Sequence, residues 1–265
     1  MPPKKRVVYL LHNCLPYELF WSDGASISFP FSPKGNRPVR IKPTINSKMY
    51  MTTDVNSPRK WEADYEHKSD GWDLGGPTPI FKRLTLRASR QLIPGRMIVL
   101  GAGRGYDARE FARNGFQVTA VDFALQAVQE MHRLSSPEAP VEILQHDIFT
   151  LPETLTHSFD YVLEYTCFCA IDPKRRAEYA DLVTRLLKPN GIYIDLAFPL
   201  DGRRGGPPFA VSAVEILDLF QKRGFKLLSH EVPADSISPR RGAEELFIFQ
   251  KGLTRLARNL HNTCV

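Results

Sequence analysis

A chain of 265 residues with 43% hydrophobic and 24% charged residues is long enough to bury a core and too apolar to remain unfolded, which excludes collagen-like, coiled-coil and mini-protein classes. The formal net charge is +6, yet residues 1–60 carry ten Lys/Arg against three acids, a balance of +7 that leaves −1 on the other 205 residues. The body of the protein therefore lacks the basic face that nucleic acid would need.

No stretch nears the ~18 consecutive apolar residues of a membrane span, and the early apolar run at 7–11 is too short for a signal-peptide core. Cys14, Cys167, Cys169 and Cys264 form no disulfide framework and no C-x-x-C pair, which argues against a cysteine metal site. A cytoplasmic monomer is expected, acting on a small molecule with no nucleic-acid, membrane or metal partner.

Residues 1–55 read as a basic, Pro-containing, poorly ordered arm, because neither helical nor strand periodicity runs through them. The segment 56–252 reads as one α/β domain, and 253–265 as a tail. Within the domain, apolar runs at 97–100, 117–121, 141–144, 161–163 and 192–198 predict strands. Helical spacing at 106–113, 124–134 and 177–187 alternates with them. Lys188-Pro189-Asn190-Gly191 ends the third of these helices. Ser212 and Glu215 predict a capping box for a helix whose apolar face is Ala213, Ile216, Leu217 and Phe220. Strands at 225–232 and 244–250 then pair antiparallel. The pattern predicts a Rossmann-like, doubly wound, seven-stranded, mostly parallel sheet with an antiparallel last strand.

Gly101-Ala102-Gly103-Arg104-Gly105 lies between a predicted strand and helix, where a glycine turn lets a ligand approach the backbone. Asp122, at the end of the next strand, is placed to accept from two ribose hydroxyls. The nicotinamide fingerprint G-x-G-x-x-G is not met, since Tyr106 stands where its third glycine belongs. A nicotinamide-dependent oxidoreductase and a non-catalytic cofactor-binding protein nevertheless remain as readings from different classes.

His146-Asp147-Ile148 and the Leu-Leu-Lys-Pro-Asn-Gly break resemble class I S-adenosylmethionine methyltransferases. Trp61-x-x-x-Tyr65, the run from Gly71 through Trp72 to Pro79, Glu164-Tyr165-Thr166-Cys167-Phe168-Cys169-Ala170-Ile171-Asp172-Pro173 with Arg176, and Gly205-Gly206-Pro207-Pro208-Phe209 are similar to the thiopurine S-methyltransferase family and its halide/thiol branch. The resemblance implies S-adenosyl-L-methionine as cofactor, beneath an N-terminal lid of Trp61, Tyr65 and Trp72. Gly101, Gly103, Asp122, Asp147, Ile148 and Tyr165 would complete its pocket. Aromatic faces suit a sulfonium, stabilising the cation by ~0.5 to 2 kcal/mol without offering a competing nucleophile.

The implied reaction is in-line methyl transfer to a soft nucleophile, a thiol or bisulfide sulfur, with a halide or thiocyanate as the alternative. Arg176 and Tyr165 would be catalytic. Phe168, Arg176, Phe209 and Arg241 would face the acceptor, with Arg240 as an alternative to Arg241. Cys167 and Cys169 are expected to be pocket wall. Gly-Gly-Pro-Pro-Phe falls after the fifth strand, so it is not the N-P-P-[FY] loop of enzymes that methylate exocyclic nitrogens.

Overall fold

The computed structural model describes residues 54–86 and 92–253. Residues 1–53 of the predicted arm and 254–265 of the predicted tail, with Cys14 and Cys264, lie outside the described residues. Seven strands form one sheet: β1 (Arg96–Leu100), β2 (Gln117–Asp122), β3 (Val141–Gln145), β4 (Phe159–Tyr165), β5 (Leu187–Ala197), β6 (Phe225–Glu231) and β7 (Glu245–Lys251). Their order is β3-β2-β1-β4-β5-β7-β6. The pairs β1–β2, β1–β4, β2–β3 and β4–β5 are parallel, and β7 runs antiparallel between β5 and β6. This is the predicted architecture, with the last strand inserted one place in from the edge.

The apolar runs form strands because both faces of the sheet are covered. In β1 the alternation is direct: Met97 and Val99 enter one core cluster, and Ile98 and Leu100 the other. Helices α2 (Pro79–Thr85), α3 (Tyr106–Arg113) and α4 (Leu125–Arg133) cover the first face through Ile80, Phe81, Phe111, Val128 and Met131. Helices α5 (Arg176–Leu186) and α6 (Ala213–Gln221) cover the second through Tyr179, Val183, Leu186, Ile216 and Phe220. The strand order reverses between β1 and β4, so the connections leaving the carboxyl ends of these strands diverge and open a crevice.

Three local features differ from the sequence reading. The predicted break at 188–191 lies inside β5: Phe159 pairs with Leu187 and Tyr161 with Ile192, so four residues bulge out, with Asn190 at φ 64°. The capping box is half formed. Ser212 Oγ accepts from Glu215 N at 3.1 Å, but the Glu215 carboxylate accepts from Arg176 instead of returning to the Ser212 amide. The lid segment also contains two helices the periodicity did not announce, α1 (Pro58–Glu66) and α2, each with proline in its first turn.

Candidate active site

A cavity of about 640 Å³ opens at the crevice, within the range of small-molecule sites. One half is built at the ends of β1, β2 and β3. Gly101 has φ 60°, and a Cβ there would sit 2.7 Å from Cys167 Sγ, so only glycine fits. A Cβ on Gly103 would meet the Tyr65 hydroxyl at 3.3 Å, which brings the lid directly over the glycine turn. Asp122 accepts from Gly103 N and Ala124 N, both at 2.9 Å. Burial pushes its carboxyl up to about 6 against the pull of these amides.

Asp147 caps the turn after β3 by accepting from Phe149 N at 3.0 Å. It lines the cavity with His146, Ile148 and Phe149. Asp107, on the first turn of α3, accepts from Thr78 N at 2.7 Å and Thr78 Oγ1 at 2.9 Å; burial raises it to about 6.

Over this half lies an aromatic cluster. Trp72 meets Trp61 and Tyr65 edge to face, with centroids 5.5 and 5.6 Å apart. Three guanidinium groups from three loops tie the segment down. Arg104 pairs with Asp70 and Asp73 and lies over the Tyr65 ring. Arg175 stacks 3.5 Å from the Phe149 centroid and reaches Asn56 Oδ1 at 3.4 Å. Arg240 donates to the Trp72 carbonyl at 2.9 Å.

The other half is built from the connections after β4 and β5 and from the turn before β7. Glu164, buried in β4, accepts from Phe168 N at 2.7 Å and Tyr179 Oη at 2.8 Å, which folds the backbone after Tyr165 into the cavity wall. Cys167 and Cys169 are part of that wall, and burial pushes both thiols well above their ordinary range. Arg240 is 5% exposed. It donates to Tyr165 Oη and lies 4.7 Å from the Phe198 ring centroid. The Tyr165 hydroxyl donates in turn to Glu244. Burial pushes the Tyr165 phenol up, so it stays protonated.

Trp61, Tyr65, Trp72, Gly101, Gly103, Asp122, Asp147, Ile148 and Tyr165 all line this one cavity. Phe168, Arg176, Phe209 and Arg241 are not brought to its wall. Arg176 is turned into the protein: it donates to Glu215 at 2.6 Å and to the Ala210 carbonyl at 2.9 Å, with its guanidinium 5.0 Å from the Phe168 ring. Phe168 is buried against Tyr179. Phe209 donates its amide to Cys169 O at 2.7 Å, and Arg241 is exposed. Arg240, the alternative to Arg241, lines the cavity.

Phe149, Arg175, Phe198 and Arg203 also line the cavity, none of them among the expected site residues, as does Pro207 of the Gly-Gly-Pro-Pro-Phe motif. The signal available for Phe149 and Phe198 was their position just beyond a parallel strand. Among the described residues, no group of three or more His, Cys, Asp or Glu could hold a metal ion.

The cavity fits the cofactor implied by the sequence. The glycine turn leaves room that a side chain would fill, Asp122 retains lone pairs for ribose hydroxyls, and the lid presents aromatic faces to a cation.

Residues 56–259 match the family described as Thiopurine S-methyltransferase. An Arabidopsis thaliana protein named "Probable thiol methyltransferase 2" is 36% identical over 202 residues, covering 75% of this chain and 88% of that protein. "Thiocyanate methyltransferase 1" of Arabidopsis thaliana is 33% identical over 194 residues, covering 72% and 84%. A solved Burkholderia thailandensis 1,6-didemethyltoxoflavin-N1-methyltransferase shares the fold, with a TM-score of 0.57 at 18% identity, covering 89% of this chain and 99% of that one.

Proposed function

The chain belongs to the thiopurine S-methyltransferase family and is an S-adenosylmethionine-dependent methyltransferase, and from that premise we propose that it methylates a small thiol or bisulfide by in-line displacement. The observation that carries this reading is Arg240, a buried cation held against Tyr165 and Phe198 in the cavity half away from the glycine turn. An anionic sulfur would sit there beside a positive charge in a site that excludes water.

When bound, S-adenosylmethionine supplies an electrophilic methyl group on a sulfonium. Asp122 would hold the ribose hydroxyls, Asp147 and Ile148 the adenine, and Trp61, Tyr65 and Trp72 the sulfonium side. Tyr165 would stand between the two halves. The leaving group becomes neutral, so this chain contributes mainly alignment, dryness and a seat for the anion. Arg240 takes the acceptor-side role expected of Arg176, and Arg176 keeps a structural one.

No helix among the described residues is long and apolar enough to cross a membrane. The near-neutral charge of residues 61–265 argues against a nucleic-acid footprint, and the proposed enzyme is a cytoplasmic monomer acting on a small molecule. The test is a panel of hydrogen sulfide, an alkyl thiol, an aromatic thiol, iodide and thiocyanate with methyl-labelled cofactor. Labelled methyl sulfides are expected. Transfer only to iodide or thiocyanate selects the halide alternative, and tight cofactor binding without any transfer selects a non-catalytic binding protein.

A further inference from the structure

Glu244 immediately precedes the last strand and is 1% exposed. One carboxylate oxygen accepts from Tyr165 Oη, and the other, Oε2, is buried with no hydrogen-bond partner. Arg240 lies 4.0 Å from Glu244 and donates to the same tyrosine oxygen. The Tyr165 hydroxyl therefore gives its proton to Glu244 and spends one lone pair on Arg240. A phenol oxygen has a second lone pair, and Tyr165 lines the cavity.

The other carboxylates nearby are differently engaged. Glu164 is held by Phe168 N and Tyr179, Asp107 by Thr78, and Asp201 by Arg203. Asp195 has unpartnered oxygens but does not line the cavity.

Resting on the thiol reading above, we propose that Tyr165 and Glu244 form a proton relay that lets the enzyme use a neutral thiol as well as a thiolate. As the acceptor sulfur's lone pair forms the bond to the methyl carbon, the carbon–sulfonium bond breaks onto the leaving sulfur. The thiol proton passes to Tyr165 Oη, and the Tyr165 proton passes to Glu244. One positive charge on the donor and one negative charge on Glu244 are lost together, leaving a neutral methyl sulfide, a neutral leaving thioether and a protonated carboxyl.

A carboxylate suffices as the sink, because a thiol becomes far more acidic as its sulfur is alkylated. Proton removal timed with bond formation is the condition under which general-base catalysis gains most. Tyr165 would be the catalytic group that touches the acceptor, and Glu244 acts through it. An acceptor that is already ionised gains nothing from the relay.

The experiment uses the full chain at neutral pH with two acceptors: an alkyl thiol whose pKa lies well above the assay pH, and an electron-poor aromatic thiol already present as thiolate. Glu244→Gln keeps an oxygen for the Tyr165 hydroxyl but cannot take up its proton. Its kcat/KM for the alkyl thiol is expected to fall about a hundredfold, and that for the thiolate less than about threefold. Binding of S-adenosylhomocysteine by calorimetry should be unchanged. Equal losses for both acceptors, or no loss for the alkyl thiol, overturn the relay. If Glu244→Gln lacks a cooperative melting transition, Tyr165→Phe is measured against the same pair of acceptors, with the same split expected and the same overturning result. Failure of the unaltered enzyme to methylate any thiol overturns both the relay and the reading beneath it.

Discussion

The two halves of the cavity are built in different ways. Around Gly101, Gly103, Asp122 and Asp147 the site is made of adjoining strand ends and backbone: tight turns, amides and carboxylates, with Asp122 two residues from Ala124 and 19 from Gly103, and Asp147 two from Phe149. Around Arg240 the site is made of side chains from distant segments, with Arg240 and Tyr165 75 residues apart and Arg240 and Trp72 168 apart. The first half is suited to a ligand that does not vary. The second can change its chemistry by a few substitutions in loops while the sheet stays as it is.

If the halves are energetically separate, Asp122→Ala should act on one alone. Losing two charge-assisted hydrogen bonds of ~1.5 to 3 kcal/mol each predicts a fall in S-adenosylhomocysteine affinity of about a hundredfold or more. The acceptor KM at saturating cofactor should hardly move. Calorimetry showing less than about threefold loss would take Asp122 out of the ribose site. The carboxylate also accepts from Gly103 N and Ala124 N, so the melting temperature without cofactor should fall as well.

The pH dependence follows from the same group. Ribose hydroxyls donate to the charged carboxylate, and burial raises Asp122 to about 6. Affinity measured from pH 5 to 8 should therefore rise about tenfold and level off above about 6, and Asp122→Asn should flatten the curve. For folding without cofactor the sign reverses. The folded carboxyl binds its proton more readily than the unfolded one, so the stability it contributes is greatest below the ordinary carboxylate range and is lost as pH rises through about 6. Asp107, also raised to about 6, acts in the same direction.

On the other half, Arg240→Met should raise the KM for a thiolate about tenfold and leave cofactor affinity within about threefold, since a buried charge-assisted contact is worth ~1.5 to 3 kcal/mol. Equal losses for both ligands would merge the halves, through the Trp72 carbonyl that Arg240 also holds. Arg176→Met sharpens the contrast. It strands the Ala210 carbonyl and one half-exposed partner, Glu215, so about 1 to 3 kcal/mol of stability should be lost in thermal melts, without a selective kinetic effect. A chain beginning at Met51 should bind cofactor and transfer methyl groups as the full chain does. Loss of folding there would bring the basic arm into the core.

What was legible in the sequence follows the same division. The strands, their order of appearance and the Gly101–Asp122–Asp147 series were readable because parallel strands are apolar runs and their functional residues sit at the ends. The lid helices escaped because α1 has no buried residues and α2 is seven residues long, too short for a period to register. Arg176 and Arg240 show the sharper limit. Arg176 opens α5 and Arg240 lies in the turn before β7, and nothing local distinguishes the arginine that turns inward to Glu215 from the one that reaches Tyr165. That choice is made by tertiary neighbours, here the half-formed cap at Ser212, whose free glutamate captures Arg176.

The position of β7 also has a bearing on how the protein is made. β6 joins the sheet only through β7, and β7 is the last strand described. A ribosome delivers the chain from its N-terminus, so the lid and the glycine turn emerge first. Until residue 251 has cleared the exit tunnel, the sheet stops at β5, β6 has no neighbour, and Arg240 and Glu244 have no fixed seat. A nascent chain can shape its nucleoside pocket early, but it acquires a place for the molecule it modifies only after β7 has joined the sheet. A stop codon placed just before 245 should therefore yield a sheet that ends at β5, with β6 unpaired and Arg240 and Glu244 unseated.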